Sequence, residues 1–317
     1  MHTDVIGKTS APALTVWLLT DDKPGHRNQL QGLVDALDRH QTISTHWISV
    51  SNTRSSWWQA LRGQSNHVGD TPDLVVGAGH RTHRELLAVK RHYRAFTAVL
   101  MKPSLPISWF DAAIIPKHDI KRGSPGNTLL TEGVINTVIP TSGEQRRVDS
   151  GLILVGGESK HFHWRSDAVV SQIQGLMEHY PAISWQLTNS RRTPAGFIAA
   201  LTKLSPKLTL HPYQETPSTW VATQLSQASV VWVTPDSVSM VYEALTAGLP
   251  VGLFDLPVRR QGRVVEGIEQ LRRHNVVNNY SMIEGGHTLS APPHQLWEAE
   301  RAASWLLERL ANWQQGR

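Results

Sequence analysis

Cysteine is absent from all 317 residues of the chain. Disulfides, thiolate nucleophiles and cysteine-ligated zinc sites are therefore excluded. No apolar run approaches the roughly 20 residues that a membrane-spanning helix needs. The short apolar stretch at residues 11–19 leads straight into a polar turn without a small-residue cleavage site, so it predicts a buried strand and not a signal peptide. These absences favour a cytoplasmic protein with ordinary hydrophobic cores.

Two common phosphate-binding signatures are also missing. The paired glycines at residues 156–157 match neither the G-x-x-x-x-G-K-[ST] phosphate loop nor the G-x-G-x-x-G fingerprint, so neither an ATPase nor a dinucleotide dehydrogenase is indicated. The basic stretch at residues 81–94 lacks the aromatic interleaving or recognised motif of a nucleic-acid binder. We therefore expect no nucleic-acid partner.

Positive charge and tryptophan are both plentiful, with a formal net charge of +5 and 12 tryptophans. Basic proteins attract phosphorylated substrates and anionic lipid surfaces. A basic helix and a tryptophan pair predict peripheral contact with the inner face of an anionic membrane, although a merely solvated basic face is the alternative. The residues concerned are Arg81, Arg84, Lys90, Arg91 and Arg94, with Trp57 and Trp58.

Short apolar runs alternate with helical patterns along two stretches of the chain, which predicts parallel sheets with right-handed crossovers. A polar segment with proline and glycine at residues 139–150 interrupts the alternation. The predicted fold class is α/β, GT-B-like, with two doubly wound Rossmann-like domains that face a central cleft. The expected strands lie at residues 16–19, 43–50, 74–76, 96–101 and 112–115, then at 152–155, 183–187, 208–210, 230–233 and 251–254.

The predicted first domain spans residues 1–142 and the second spans residues 150–290. Residues 291–317 are predicted to form an amphipathic helix, with Ala299, Ala302, Leu306 and Leu310 on one face. This helix either packs on its own domain or crosses back to the first.

Ligands of open α/β sheets bind beyond the carboxyl ends of the strands, so the turn after each strand is a candidate site. The first such turn packs carboxylates, a lysine, a histidine and amides into ten residues, a polar density greater than helix capping requires. A histidine there can act as a general base because its ordinary pKa lies near neutrality. The candidate residues are Asp22, Lys23, Gly25, His26, Asn28 and Gln29.

Glycines mark the next two candidate turns. Gly79 and His80 follow the third strand, where small residues permit close approach of a ligand. Gly156 and Gly157 open a later turn, whose Ser159 and Lys160 can meet a phosphate. The nearby histidines at 161 and 163 are too few for a metal site, and we expect no metal.

Small hydroxyls at the start of a helix form the fourth candidate turn. Such hydroxyls and the free amides of a helix start can bind a diphosphate. Glu243 follows one turn later on the same helix and can accept two ribose hydroxyls. The other candidates here are Thr234, Asp236, Ser237, Ser239 and Met240, and an ordinary Asp-Ser helix cap is the alternative.

Three motifs carry a resemblance to known families. The motif Thr-x-Asp-Ser-x-Ser-Met-x-x-Glu-Ala at residues 234–244, with Gly-x-Pro-Val next, resembles the donor-site helix of GT-B glycosyltransferases. With Asp-x-Lys-Pro-Gly-His-x-x-Gln at residues 21–29 and Gly-Gly-x-Ser-Lys-His at residues 156–161, the chain resembles the mitochondrial-fission Elm family. The resemblance covers about residues 15–280.

The Elm family is in turn similar to MurG-like transferases. That likeness implies that His26 lies on the acceptor side and that Glu243 binds ribose. The chain departs from MurG-like enzymes in its first turn, where Lys23-Pro24 replaces glycines.

The resemblance implies a glycosyltransferase that moves a sugar from a nucleotide-sugar donor to a lipid-linked or cell-envelope glycan. His26 or Asp22 would be the base, and the helix start at Ser237 with Ser159, Lys160 or Arg191 would hold the diphosphate. These charges would replace a metal, and no organic cofactor is expected beyond the nucleotide-sugar substrate. Because the plant relatives are described as recruiting a fission dynamin, a non-catalytic nucleotide-binding or scaffold protein is the alternative.

Overall fold

Two six-stranded parallel β-sheets organise the chain. The computed structural model describes residues 13–51, 62, 70–120, 123, 125–141, 143, 146–202 and 204–317. One unit comprises Met1–Thr137 together with Glu298–Arg317, and the other comprises Val138–Trp297. Trp57 and Trp58, which the sequence places at a membrane-facing surface, lie outside the described residues.

The sheet of the first unit has the strand order β2-β1-β3-β4-β5-β6, with every neighbouring pair parallel. The first helix of this unit begins with Pro24. Proline suits this position because an amide there has no partner within the helix. The strands are β1 (Leu14–Thr20), β2 (Ile43–Ser49), β3 (Leu74–Ala78), β4 (Phe96–Leu100), β5 (Ala112–Pro116) and β6 (Thr128–Thr131). Among the described residues, its first two helices are α1 (Pro24–His40) and α2 (His83–Tyr93).

The sheet of the second unit has the order β12-β11-β10-β7-β8-β9, and its pairs are parallel as well. Its strands are β7 (Ser150–Leu154), β8 (Ser184–Thr188), β9 (Leu208–His211), β10 (Val230–Val233), β11 (Val251–Leu253) and β12 (Asn278–Asn279). Its helices are α3 (Ser166–His179), α4 (Phe197–Leu201), α5 (Trp220–Gln227), α6 (Val238–Thr246), α7 (Arg263–Arg273) and α8 (Tyr280–Glu284).

Glycines make room for large indoles within the second sheet. Trp185 on β8 pairs in register with Gly151 on β7, and Trp232 on β10 pairs with Gly252 on β11. A β-carbon added to Gly151 or Gly252 would lie 2.4 Å from the facing indole, so a larger residue would displace the tryptophan. Both tryptophans are fully buried.

The predicted fold class, with two parallel α/β domains, is confirmed by the two sheets. The apolar pattern of the sequence does not predict β6 or β12. Both are edge strands, of four and two residues, and neither is fully buried, so they lack the apolar run that marks the inner strands.

The C-terminal helix α9 (Glu298–Gln315) lies in the first unit, where it packs on α1, β5 and β6. Its apolar face is buried, and Glu300 pairs with Arg39 at 3.0 Å and with His40 at 2.7 Å at the end of α1. Among the described residues, no helix combines the length and apolar character needed to cross a bilayer.

His83 introduces an acid-sensitive position into the core of the first unit. Its side chain is buried at the start of α2, where its ring meets Phe110 edge-on and its Nδ1 atom lies 3.2 Å from the Ser104 hydroxyl. Burial lowers the pKa of His83 to about 4, and the nearby His80 adds to the effect. Because the unfolded chain binds a proton near pH 6.5, the folded state loses stability as the pH falls from about 6.5 towards about 4.

We predict that His83→Gln reduces the acid sensitivity of the fold. Between about pH 7.5 and about pH 5, the natural chain should lose about 2 kcal/mol more unfolding free energy than this variant. Urea unfolding at both pH values measures the difference, and His287→Gln, at an exposed histidine, is the control. If His83→Gln and His287→Gln show the same pH dependence, His83 is not the acid-sensitive group.

Candidate functional site

Each sheet has one position where the chain reverses its direction of strand addition. In the first unit the reversal lies between β1 and β3, and in the second it lies between β7 and β10. The loops that leave the carboxyl ends of such neighbouring strands diverge, and this opens a crevice for ligands. All four predicted turns leave one of these strands.

A histidine–aspartate pair forms the centre of the first-unit site. His26 lies in the first turn of α1, with its Nδ1 atom 2.6 Å from Oδ1 of Asp21, directly after β1. The Asp21 carboxylate is fully buried, whereas 18% of the His26 side chain is exposed. Lys23 contacts the other oxygen of Asp21 at 3.1 Å.

Asp21 stays ionised in this setting. Burial acts to raise the pKa of Asp21, but the hydrogen bonds and charges of His26 and Lys23 outweigh it and lower the pKa. A carboxylate on Nδ1 of a histidine holds the ring in one orientation and leaves Nε2 to exchange a proton. Sequence reasoning selects Asp22 and misses Asp21, although Asp21 directly continues the buried strand.

Asp22 has different partners. Its carboxylate accepts hydrogen bonds from the hydroxyls of Ser49 and Ser51, the latter at 2.7 Å, and lies 3.8 Å from Arg27. The hydrogen bonds from both serines lower the pKa of Asp22. As a well-solvated acid with hydroxyl donors, Asp22 is a weaker base than an imidazole near neutral pH.

The other candidate residues of the first unit differ in their burial and in their contacts. Gly79 is buried against the histidine–aspartate pair, and His80 is exposed at the start of the helical turn before α2. Asn28 accepts a hydrogen bond from Thr137, and Gln29 is buried with its amide 3.5 Å from the sulfur of Met101. Gly25 is exposed with open space beside it.

An ion pair between a buried carboxylate and a partly exposed arginine forms the centre of the second-unit site. The Asp236 carboxylate follows β10 and is fully buried, and its Oδ2 atom lies 2.7 Å from Nη1 of Arg192. The same oxygen accepts the amide of Gly157 at 2.9 Å, so it also fixes the turn after β7. Burial raises the pKa of Asp236, opposed chiefly by the charge of Arg192.

Hydrogen bonds tie the turns after β7, β8 and β10 to one another. The Gly156 amide donates to the Thr234 hydroxyl at 2.7 Å, and the Gly156 carbonyl accepts from Ser190 at 2.6 Å and from Thr193 at 2.5 Å. Arg192 Nη1 also donates to the Glu158 carbonyl at 3.0 Å. The structure thus brings together the predicted residues Gly156, Gly157, Thr234 and Asp236. The Asp236 carboxylate is fully buried, so its contacts hold the turns together from inside the protein.

Arg192 belongs to this network, whereas its neighbour Arg191, the arginine predicted from the sequence, does not. Arg191 is exposed, and no contact of its side chain joins it to this network. Sequence reasoning misses Ser190, Arg192 and Thr193 because they follow β8, a strand whose turn carries no glycine motif. The sequence signal that exists is the cluster of hydroxyl and guanidinium groups at residues 188–193.

The start of α6 presents unpaired backbone amides. Ser237 is the N-cap residue, its side chain makes no capping hydrogen bond, and the first turn contains no acidic residue. The first amide that bonds within the helix is that of Val241, to the Ser237 carbonyl at 3.2 Å, so the amides before it are those that a helix start leaves without a helical partner. Ser237 is buried, Ser239 is exposed, and Met240 and Glu243 are half-buried.

Ser159 and Lys160 differ in their surroundings. The Ser159 hydroxyl accepts the amides of His161 at 3.2 Å and Phe162 at 3.1 Å, whereas Lys160 is exposed. Within the part of the chain that the structure describes, no group of three or more histidine, aspartate or glutamate side chains could hold a metal ion.

The basic surface predicted to meet a membrane is exposed in part. Arg81, Arg84, Arg91 and Arg94 are exposed, whereas Lys90 pairs with Asp111 at 2.8 Å. Contact with a membrane stays a prediction.

Gly79 has no space for a side chain. Its φ is +95°, and an added β-carbon would lie 2.6 Å from Nδ1 of His26 and 2.9 Å from Oδ2 of Asp21. We predict that Gly79→Ala lowers the unfolding free energy by about 1–3 kcal/mol, from backbone strain and displacement of the pair. Urea unfolding measures the loss.

Gly25→Ala, in the same unit, is the matched control because nothing lies within 4 Å of its added β-carbon. It should be neutral or slightly stabilising, since alanine favours a helix. Equal stability of the two variants would show that the close packing around Gly79 does not exist.

Known proteins share this architecture. CalG4, the calicheamicin glycosyltransferase, aligns with a TM-score of 0.55 at 13% identity, over 95% of this chain and 99% of that one. The UDP-GlcNAc 2-epimerase from Neisseria meningitidis, solved with UDP-GlcNAc bound, aligns with a TM-score of 0.55 at 13% identity, over 94% of this chain and 100% of that one. At such identities the likeness shows the fold, and the predicted GT-B class is confirmed.

Sequence comparison points to a family. An uncharacterized protein of Rickettsia prowazekii is 22% identical over 298 residues, covering 77% of this chain and 84% of that protein. The family model described as mitochondrial fission ELM1 matches residues 24–310. That match includes His26 and all of the second-unit site, and it confirms the resemblance carried by the motifs: the chain belongs to the mitochondrial fission ELM1 family.

Proposed function

We propose that this protein is a GT-B-type glycosyltransferase that moves a sugar from a nucleotide-sugar donor to a hydroxyl of a lipid-linked or cell-envelope glycan. The observation that carries the proposal is the start of α6, where an uncapped helix follows the carboxylate that anchors Arg192. The likeness to a glycosyltransferase and to an epimerase solved with UDP-GlcNAc supports a nucleotide-sugar as the ligand.

The donor diphosphate would bind at the start of α6. The first-turn amides and the positive end of the helix dipole favour an anion there, and the exposed hydroxyl of Ser239 adds a donor. Arg192 is 41% exposed and uses Nη1 for its internal contacts, so the rest of its guanidinium can face a phosphate. These groups stabilise the leaving diphosphate, so the proposal requires neither a metal nor an organic cofactor.

Glu243 would bind the ribose of the donor. It lies one turn further along α6 than Ser239, and it is half-buried. A carboxylate can accept hydrogen bonds from two neighbouring hydroxyls, which suits the 2′ and 3′ positions of a ribose.

His26 would be the base that activates the acceptor. Asp21 holds Nδ1, so Nε2 takes the proton as the acceptor oxygen bonds to the anomeric carbon of the sugar. The bond between that carbon and the diphosphate oxygen breaks in the same process, and the nucleoside diphosphate leaves with its electron pair. The alternative is a nucleotide-binding or scaffold protein with the same donor site but no turnover.

We predict that the protein binds a nucleoside diphosphate and that Arg192→Gln weakens the binding by about 1.5–3 kcal/mol, the usual range for hydrogen bonds to a charged group. Calorimetry with UDP, GDP, ADP and CMP measures the affinity. Arg191→Gln is the matched control, because it removes the same charge from the exposed neighbouring residue. A natural chain that binds none of the four nucleotides below millimolar concentration contradicts the donor site.

We also predict that His26→Ala lowers sugar transfer by about 10²–10⁴ while nucleotide binding stays within about twofold. Asp21→Asn should lower transfer less, because the imidazole remains but loses its orientation. Asp22→Asn should have the smallest effect. Initial rates with the nucleotide-sugar that binds best, together with calorimetry on each variant, separate these cases.

A larger rate loss for Asp22→Asn than for His26→Ala would transfer the role of base to Asp22. Tight nucleotide binding without transfer to any glycan or water would instead favour the non-catalytic alternative.

A further inference from the structure

Two loops of the second unit come together beside the proposed donor site. The loop after β7 and the loop after β11 form an antiparallel bridge between Phe162 and Val258. The His163 amide donates to the Pro257 carbonyl at 2.8 Å, and the Arg259 amide donates to the His161 carbonyl at 2.8 Å. Because β7 and β11 flank β10, the two loops leave the sheet on either side of the strand that leads into α6.

The bridge concentrates positive charge. Lys160, Arg259 and Arg260 are all exposed, and none of them has an acidic partner within the described residues. Arg165 and Arg272 of the same unit, by contrast, pair with Asp167 and Glu269, both at 2.7 Å. We name Lys160, Arg259 and Arg260 the bridge cations.

The pKa of His161, in the loop after β7, is lowered by its surroundings. Burial lowers the pKa of His161, and the positive charges of Lys160 and Arg260 lower it further, although a hydrogen bond with the Arg260 backbone opposes them. The three bridge cations also outnumber the two carboxylates of the same loops, Glu158 and Asp255. The loops therefore hold more positive charge than their own carboxylates neutralise.

A diphosphate alone does not account for this charge. In the proposed donor site, Arg192 and the amides at the start of α6 would already bind the diphosphate. The bridge cations lie on different loops from Arg192, which follows β8 on the other side of β7. They therefore suit a second anionic group on the same ligand.

We propose that the bridge cations bind a carboxylate on the sugar of the donor, so that the substrate class is a nucleotide-linked acidic sugar. This inference rests on the proposed donor site. Guanidinium and ammonium groups form charge-assisted hydrogen bonds with a carboxylate, and these discriminate against a neutral hydroxymethyl group at the same position.

The test compares two ligands that differ only in this group, UDP-glucuronic acid and UDP-glucose. By calorimetry, the natural chain should bind UDP-glucuronic acid about tenfold more tightly or better. Lys160→Gln, Arg259→Gln and Arg260→Gln should each move the affinity ratio towards one. Arg165→Gln, which removes the same charge from a paired residue of the same unit, should keep the ratio of the natural chain.

Equal affinity of the natural chain for the two ligands would overturn the inference while leaving the donor site intact. A preference that survives in all three bridge variants would overturn it as well. If the natural chain binds neither UDP-sugar, calorimetry with UDP, GDP, ADP and CMP decides whether the donor site itself has failed. Glucuronic acid 1-phosphate and glucose 1-phosphate, compared by NMR under the same criterion, then decide whether the bridge cations recognise the carboxylate.

Discussion

The ion pair between Asp236 and Arg192 is the interaction on which the second-unit site depends. A fully buried carboxylate is costly unless it is paired, and Arg192 supplies the opposite charge from a side chain that is 41% exposed. Asp236 accepts the Gly157 amide and holds Arg192, so one side chain joins the turns after three neighbouring strands. Gly156 has to be a glycine for this arrangement, because a β-carbon there would lie 2.3 Å from the carboxylate.

The first unit also contains a buried carboxylate at the centre of its site, but different basic side chains pair with it. Asp21 is also a buried carboxylate at the end of a strand, and it is also packed against a glycine, Gly79. Its partners are an imidazole and an ammonium group instead of a guanidinium. In both units a buried carboxylate orients a basic side chain that remains partly exposed, as the proposed roles in proton transfer and anion binding require.

The alternation of apolar runs and helical patterns is enough to predict most strands of both sheets, because buried parallel strands are nearly continuous in apolar residues. Strands β6 and β12 lack that pattern because they are short and largely half-buried. Positions after strands also predict which turns hold polar groups. The partners across turns could not be predicted, because Asp236 and Gly157 are 79 residues apart and only the strand order brings them together.

The proposed donor site requires that the start of α6 and Arg192 together bind a nucleoside diphosphate. A crystal structure of the protein with UDP tests this most directly. We expect a phosphate within hydrogen-bond distance of the first-turn amides of α6 and of the Arg192 guanidinium, with the ribose hydroxyls on Glu243. A nucleotide bound elsewhere in the second unit, with Arg192 still confined to Asp236 and the α6 amides in contact with water, would contradict it.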